Sequence, residues 1–352
     1  MTISLAYDLA PFGIRVNAIA PGYVNTDDGM RSAPPGGREI ATARVRGSPG
    51  GLPTGITLDK VAALAEEVRM DLDGKVALVT GASRGVGAAT AIALAQAGCK
   101  VARAARSTKE APQRTAGTLD ETLQRIEAAG GEGLAVPTNL ADRDAVRAMV
   151  GRTVEHFGGV DVLVNNAAVT FIGDLDQPEH RHELTFAVNY WAPLIAIQGA
   201  YPHMERRGGG SIVSVSSLAA LMPFPDNMSY GASKIAMERM TLDAARVLHP
   251  KGIAANIFRI DIAVASEGFV ANTPGIDRSD WEPSEVAAEG ILWMLSQPLD
   301  YTGRRESMYH LREREGIMAS RASRPREGGP TPTELFSGLF EAGPSSYAEP
   351  YD

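Results

Sequence analysis

Cysteine is nearly missing from this chain of 352 residues; Cys99 stands alone. A lone cysteine excludes an intramolecular disulfide and a cysteine-built zinc site. No apolar run reaches the roughly 18 residues that a membrane-spanning helix needs. The start lacks the basic residues of a secretory signal, and Asp8 and Arg15 interrupt any apolar core, so the expected compartment is the cytoplasm. Positive charge is also short. Lys and Arg number 34 against 42 Asp and Glu, a net charge of −8 that argues against a nucleic-acid surface. His180 and His182 flank Arg181 without a partner at ligand spacing, so they read as surface loop residues and no metal is expected. What the chain has in quantity is glycine and proline, 37 and 22 residues.

Much of the Gly and Pro falls in two stretches. Residues 27–58 contain Pro34-Pro35-Gly36-Gly37 and the run Ser48 to Gly55, which no helix or central strand tolerates. Residues from about Ala319 to Asp352 contain Pro325, Gly328, Gly329, Pro330 and Pro332, and read as an irregular tail. Between them, strand and helix patterns alternate. Strands are expected at 75–80, 101–105, 134–137, 162–164, 211–215 and 253–258. Helices are expected at 88–97, 119–129, 143–156, 184–204, 232–248 and 284–295. Such alternation predicts right-handed crossovers and a doubly wound, Rossmann-type parallel sheet with its ligand beyond the carboxyl ends of the strands. At roughly 150 residues per domain the length suggests two domains. The pattern supports one main domain, 70–303, flanked by an N-terminal extension (1–69) and a C-terminal one (304–352) with a last strand near 307–311.

The first residues repeat a later segment. Met1 and Thr2 align with Met240 and Thr241; Leu9, Pro11, Gly13, Ile14 and Asn17 align with Leu248, Pro250, Gly252, Ile253 and Asn256 at the same offset. The later copy reads as helix, turn and strand. An isolated helix and strand cannot bury both faces of the strand. The first copy is thus a fusion or start-site product, or padding for the domain or an oligomer interface. Met70 is a natural alternative start.

After the first strand comes Thr80-Gly81-Ala82-Ser83-Arg84-Gly85-Val86-Gly87, leading into a helix. Glycines permit a tight turn and close approach of a pyrophosphate, and a helix N-terminus offers free N–H groups to it. An NAD site usually ends the second strand in an acid that holds the ribose 2′-hydroxyl. Here Ala105 stands there and Arg106 follows, with Arg84 in the glycine turn. Two guanidinium groups suit a 2′-phosphate, so NADP(H) is expected over NAD(H).

Tyr230 and Lys234 are four apart and share a helix face. A tyrosine hydroxyl is a poor base at neutral pH, but a nearby ammonium favours its phenolate. Ser216 and Ser217 end the preceding strand and can reach the same substrate oxygen. Together with Thr80–Gly87, Asn165-Asn166-Ala167-Ala168 and Asn189, these residues resemble the short-chain dehydrogenase/reductase family over about 70–303. That resemblance implies that Tyr230 is the general acid/base and that Ser217 polarises the substrate oxygen. It implies that Lys234 holds the nicotinamide ribose and lowers the tyrosine pKa, and that Asn189 serves a water-linked relay. It places Asn165, Ala167 and Ile262 along the cofactor and Asn139-Leu140 beside the adenine. It also implies a homodimer or homotetramer through the helices around 184–204 and 232–248.

Departures accompany the likeness. Ala168 replaces a usual glycine and Asn139 a usual aspartate. Arg259-Ile260-Asp261-Ile262 stands where the family has Pro-Gly, whereas Asn17-Ala18-Ile19-Ala20-Pro21-Gly22 near the start carries the family version.

The expected function is NADP(H)-dependent interconversion of a ketone and a secondary alcohol. The alternatives are a non-catalytic dinucleotide-binding or regulatory protein and an epimerase or dehydratase. Segment 218–228 and lid 262–282 should line the substrate pocket, where Leu221, Met222, Phe224, Phe269 and Val270 suggest a small apolar carbonyl or alcohol. Trp191, Trp281 and Trp293 read as core or lid, and Cys99 as a small buried hydrophobe.

Overall fold

In the computed structural model, residues 69–222 and 227–324 are described. The chain divides into two compact units, Met1–Arg69 and Met70–Asp352. The sheet, its helices and the candidate site all belong to the second. The N-terminal copy, its linker, Phe224 and the tail from 325 lie outside the described residues.

The strands form where apolar runs are too short for a helix and are covered on both faces. They are β1 (Val76–Thr80), β2 (Lys100–Ala105), β3 (Gly133–Pro137), β4 (Val162–Asn165), β5 (Gly210–Ser217), β6 (Ile253–Ile260) and β7 (Arg305–Ser307). Among the described residues these seven pair in parallel in one sheet, ordered β3-β2-β1-β4-β5-β6-β7. The order reverses between β1 and β4, where the helices leave opposite faces and open a crevice at the carboxyl ends.

The crossover helices are α1 (Gly85–Gln96), α2 (Leu119–Ala128), α3 (Arg143–Phe157), α4 (Glu179–Phe186), α5 (Ala192–Arg206) and α6 (Met228–Leu248). A short α7 (Glu267–Asn272) precedes α8 (Ser284–Leu295), and α9 (Met308–Glu315) comes after β7. Local signals set several starts. The Thr118 hydroxyl accepts from Glu121 N while the Glu121 carboxylate accepts from Thr118 N, a reciprocal cap on α2. Asp142 caps α3. Helix α1 is alanine-rich and almost wholly buried, so it can pack closely between sheet and neighbours.

Three expectations change. The long helix over 184–204 is two α-helices joined by a π-turn, Ala187–Trp191. Pro193 gives a physical cause. It has no N–H to donate to the Asn189 carbonyl four residues back, and its ring crowds that carbonyl. Ala192 N bonds instead to Ala187 O. The last strand is Arg305–Ser307, and the residues expected to form it from Met308 on are helical. Residues 319–324 are not loose: Arg321 N donates to Glu282 Oε2 (2.8 Å) and Arg324 N to Ser279 O (2.7 Å).

Candidate active site

The glycine turn sits between β1 and α1 at the sheet reversal. Gly81 (φ +67°) and Gly85 (φ +57°) adopt left-handed backbone that glycine tolerates best. The glycines are also required by packing. A Cβ on Gly81 would lie 2.8 Å from Ala167 Cα, and one on Gly87 2.4 Å from Gly81 O and from Asn166 Nδ2. Thr80 locks this junction. Its hydroxyl donates to Val164 O (3.2 Å) and accepts from Asn166 N (3.0 Å) and Ala167 N (3.1 Å). Asn166 Nδ2 donates back to Thr80 O (2.9 Å). Sequence reasoning gave neither Thr80 nor Asn166 a role. The signal was a hydroxyl at the last position of the strand, opposite an Asn pair.

Asn165 ends β4 at the crevice and is buried, yet neither its side-chain oxygen nor its nitrogen has a hydrogen-bond partner. Buried amides are rarely left so. An orphaned amide beside a glycine turn at a helix N-terminus fits a polar, phosphate-bearing ligand lying across the carboxyl ends. Ser83 and Val86 are buried in the turn, and Ala167 and Ile262 are half-buried on either side. At the far end of the crevice Leu140 is buried, Asn139 is exposed and Arg106 is exposed just after β2. Arg84 lies in the glycine turn. Its guanidinium donates to the carbonyls of Thr115 (2.7 Å), Ala116 and Gly117 (2.8 Å), not into open space.

At the other end, three consecutive residues of β5 meet α6. Val215 O accepts from Lys234 Nζ (2.8 Å). Ser216 Oγ donates to Glu238 Oε1 (2.6 Å). The Ser217 side chain hydrogen-bonds to the Tyr230 hydroxyl. Lys234 is buried beneath the tyrosine ring, its Nζ 5.7 Å from the centroid. Asn189 is fully buried in the π-turn. Its Oδ1 accepts from Val169 N (2.9 Å), and its Nδ2 donates to Val169 O (3.0 Å) and Ser233 Oγ (3.0 Å). Ser233 Oγ donates in turn to Tyr230 O (2.7 Å), so the tyrosine's own backbone is tied to Asn189. Thus Asn189, Ser217, Tyr230 and Lys234 meet at one point, and Ser233 joins them unforeseen.

The expected lowering of the tyrosine pKa is not found. Burial pushes the Tyr230 hydroxyl above its ordinary value, and the Ser217 hydrogen bond offsets only part of this. Burial brings the Lys234 ammonium down to about 8, against the attraction of Glu238. The ammonium donates one of its three N–H groups to the Val215 carbonyl, which holds it in place below the phenol ring.

The segment that departs from Pro-Gly is built differently here. Arg259 is buried and donates to the Glu238 carboxylate (Nε 3.1 Å, Nη2 2.9 Å). The Asp261 carboxylate accepts from Tyr309 N (3.1 Å), so α9 supports this turn. Beyond it the lid carries a stacked Phe269–Trp281 pair with centroids 4.7 Å apart. Arg278 donates to Val270 O and Thr273 O. Met222 is buried, and Leu221 and Val270 are half-buried. Trp191 is on the surface under the Arg143 guanidinium (4.3 Å), not in the core. His182 lies on α4, with Nδ1 hydrogen-bonded to Ser229.

Comparison with known proteins agrees with this geometry. The chain is 35% identical over 237 residues to an uncharacterised oxidoreductase of Methylorubrum extorquens, covering 66% of this chain and 89% of that one. A short-chain dehydrogenase from Burkholderia cenocepacia, solved with NADP, superposes with a TM-score of 0.60 at 33% identity, covering 68% of this chain and 97% of that one. A 7α-hydroxysteroid dehydrogenase, solved with NADH and 7-oxo glycochenodeoxycholic acid, gives 0.61 at 25% identity over 69% and 94%. The short chain dehydrogenase profile matches residues 75–263. The protein therefore belongs to the short-chain dehydrogenase family of NAD(P)-dependent oxidoreductases.

Proposed function

We propose that the protein interconverts a ketone and a secondary alcohol, with NADP(H) as the preferred dinucleotide. The observation that carries this reading is the Tyr230 hydroxyl, protonated at neutral pH, hydrogen-bonded to Ser217 and backed by Lys234. When bound, the nicotinamide cofactor supplies or takes up hydride. The chain's own residues handle the oxygen. Ser217 orients the carbonyl oxygen, and Tyr230 gives it a proton in reduction or takes one in oxidation. A raised hydroxyl pKa favours the donating role. Asn189 and Ser233 fix the tyrosine's backbone and can relay a proton inward from solvent through water. Lys234, near 8, remains largely ammonium at neutral pH. Asn165, Ala167, Ile262 and the glycine turn would hold the dinucleotide, with Asn139 and Leu140 at the adenine. The apolar faces of Leu221, Met222, Phe269 and Val270 suit a small apolar substrate, and the helices α5 and α6 suit a homodimer or homotetramer.

Two features support the NADP(H) preference. Ala105 ends β2 where an acid would serve a free 2′-hydroxyl, and Arg106 comes next. The solved relatives divide, the Burkholderia one with NADP and the hydroxysteroid dehydrogenase with NADH, so the preference rests on these two positions. Tyr230→Phe tests the chemistry. NADPH binding should persist while turnover over a panel of ketones falls by about 10²-fold or more. Unchanged turnover would overturn the assignment. Saturable NADPH binding by the native chain with no turnover on any ketone would favour a non-catalytic role.

A further inference from the structure

Helix α6 carries Tyr230 and Lys234, and its buried face continues past them in polar residues. Lys234, Glu238 and Thr241 follow one another at helical spacing, and all three are buried. Each meets β5. Lys234 Nζ donates to Val215 O (2.8 Å), Glu238 Oε1 accepts from Ser216 Oγ (2.6 Å), and the hydroxyls of Thr241 and Ser214 are 2.9 Å apart. A helix face packed on a sheet is ordinarily apolar, and a buried carboxylate is costly unless it is paired. Glu238 is paired from β6. Arg259, opposite Ser216 in the sheet register, donates Nε to Oε1 (3.1 Å) and Nη2 to Oε2 (2.9 Å). Arg305 of β7 brings a second guanidinium to 3.7 Å from Oε2. One carboxylate thus joins the strand that ends in Ser217, the helix that carries Tyr230 and Lys234, and the segment that stands in place of Pro-Gly. Apolar residues of similar volume would fasten the same elements without loss of stability. They would supply neither an oriented bond to Ser216 nor a negative charge one turn beyond Lys234.

We propose that Glu238, oriented by Arg259, is a positioning residue for the reaction: it holds the serine end of β5 in register with α6 and balances the positive charge around Lys234. This rests on the reading of carbonyl reduction above. Titratable groups reach this seam from each element around it. Tyr230 and Glu238 come from α6, Arg259 from β6 and Arg305 from β7, while β5 supplies only serines. Asp261, past the end of β6, is engaged by Tyr309 N and Ser307. His182 of α4 meets the helix at Ser229, more than a turn before Lys234. Glu238 is the anion that attracts the Lys234 ammonium, and Arg259 is the cation that partly cancels it.

The test is turnover of a ketone with NADPH over a pH series, with NADPH titrations and melting curves, on the full chain and its variants. Ser216→Ala should lower kcat by about tenfold and leave NADPH affinity unchanged. Glu238→Gln should move the alkaline limb of the profile to lower pH and Arg259→Met to higher pH, each by about one unit. Breaking a buried pair on one side endangers folding, so the double variant Glu238→Leu/Arg259→Met removes both charges together. It should melt near the native temperature, lose about tenfold or more in kcat, and place its limb between those of the native chain and Glu238→Gln. A role confined to holding the fold would shift melting without moving the two limbs in opposite directions. A folded double variant with native kcat and native limb would overturn the proposal, as would single variants whose limbs stay fixed or move the same way. Absence of turnover in the native chain on any ketone would sink the underlying reading as well; native turnover with unmoved limbs would sink this inference alone.

Discussion

At the scale of single residues, placement is legible in the sequence and environment is not. Tyr230 and Lys234 are named by their spacing, Ser217 by its place at a strand end and Asn189 by the family resemblance, and the fold brings them together. Their charge states depend on burial, which spacing does not report. The phenol is pushed up and the ammonium down because both are withdrawn from water. Arg84 illustrates the same limit of spacing. A sequence shows a guanidinium but not its nearest acceptor, and here that acceptor belongs to a loop without periodicity. The lysine leads to a prediction. With its pKa depressed to about 8, the ammonium is lost as pH rises through that value. Turnover should therefore decline on the alkaline side near pH 8. Glu238 opposes the depression, so Glu238→Gln should move the decline to lower pH. Rate–pH profiles of both proteins check this, and an unmoved limb would remove Glu238 from the account.

At the scale of elements, the sheet is readable because its strands are short apolar runs between glycine-rich turns. The break at 187–191 is not, since an apolar helical pattern continues straight through it. Yet the cause is a single residue. Pro193 denies a donor to the Asn189 carbonyl, and the wider turn carries Asn189 to Val169 and Ser233. Pro193→Ala restores the missing N–H and should let the turn close toward α geometry. Asn189 would then shift against Tyr230. Misplacement on this scale costs rates of about ten- to hundredfold. The expected result is lower turnover with unchanged NADPH affinity, together with a slightly more stable helix. Unchanged turnover would mean that the π-turn survives without the proline.

At the scale of the whole molecule, length suggests two domains and the pattern one main domain, with little expected after the last strand. The strand itself is obscure in the sequence because it is only Arg305–Ser307 and runs directly into a helix. Residues 308–324 form a strap. Met308, Leu311 and Met318 are buried in the core shared by α1, β6 and α8. Met318 accepts a left-handed backbone (φ +56°) that a non-glycine residue adopts at a cost. The strap also holds the lid. Glu282, buried at the lid's end, accepts from Arg312 Nη2 (2.8 Å) and Arg321 N (2.8 Å), while its own N and O bond to Ala263 and Ala265. Both ends of the lid thus meet at Glu282 through its backbone, and the strap grips the same residue through its carboxylate.

That carboxylate gives the last prediction. Burial works to raise the Glu282 pKa, but hydrogen bonds from Ser320, the Arg321 backbone and Arg312 outweigh it, and the net shift is downward. A depressed carboxyl pKa contributes stability above the ordinary glutamate value, and that stability is lost as pH falls through the folded value. The clamp should therefore hold at neutral pH and release only on acidification below the ordinary carboxyl range. Glu282→Gln keeps the shape but removes the charge-assisted bonds, at a cost of about 1–3 kcal/mol. Amides 263–282 should exchange faster at neutral pH in this variant. KM for the carbonyl substrate should rise more than kcat falls, because the lid borders the pocket and not the reacting oxygen. The extra stability of the native chain over the variant should vanish in acid, as denaturant titrations at neutral and acid pH would show. A difference that persists in acid would assign the effect to packing and not to the charge.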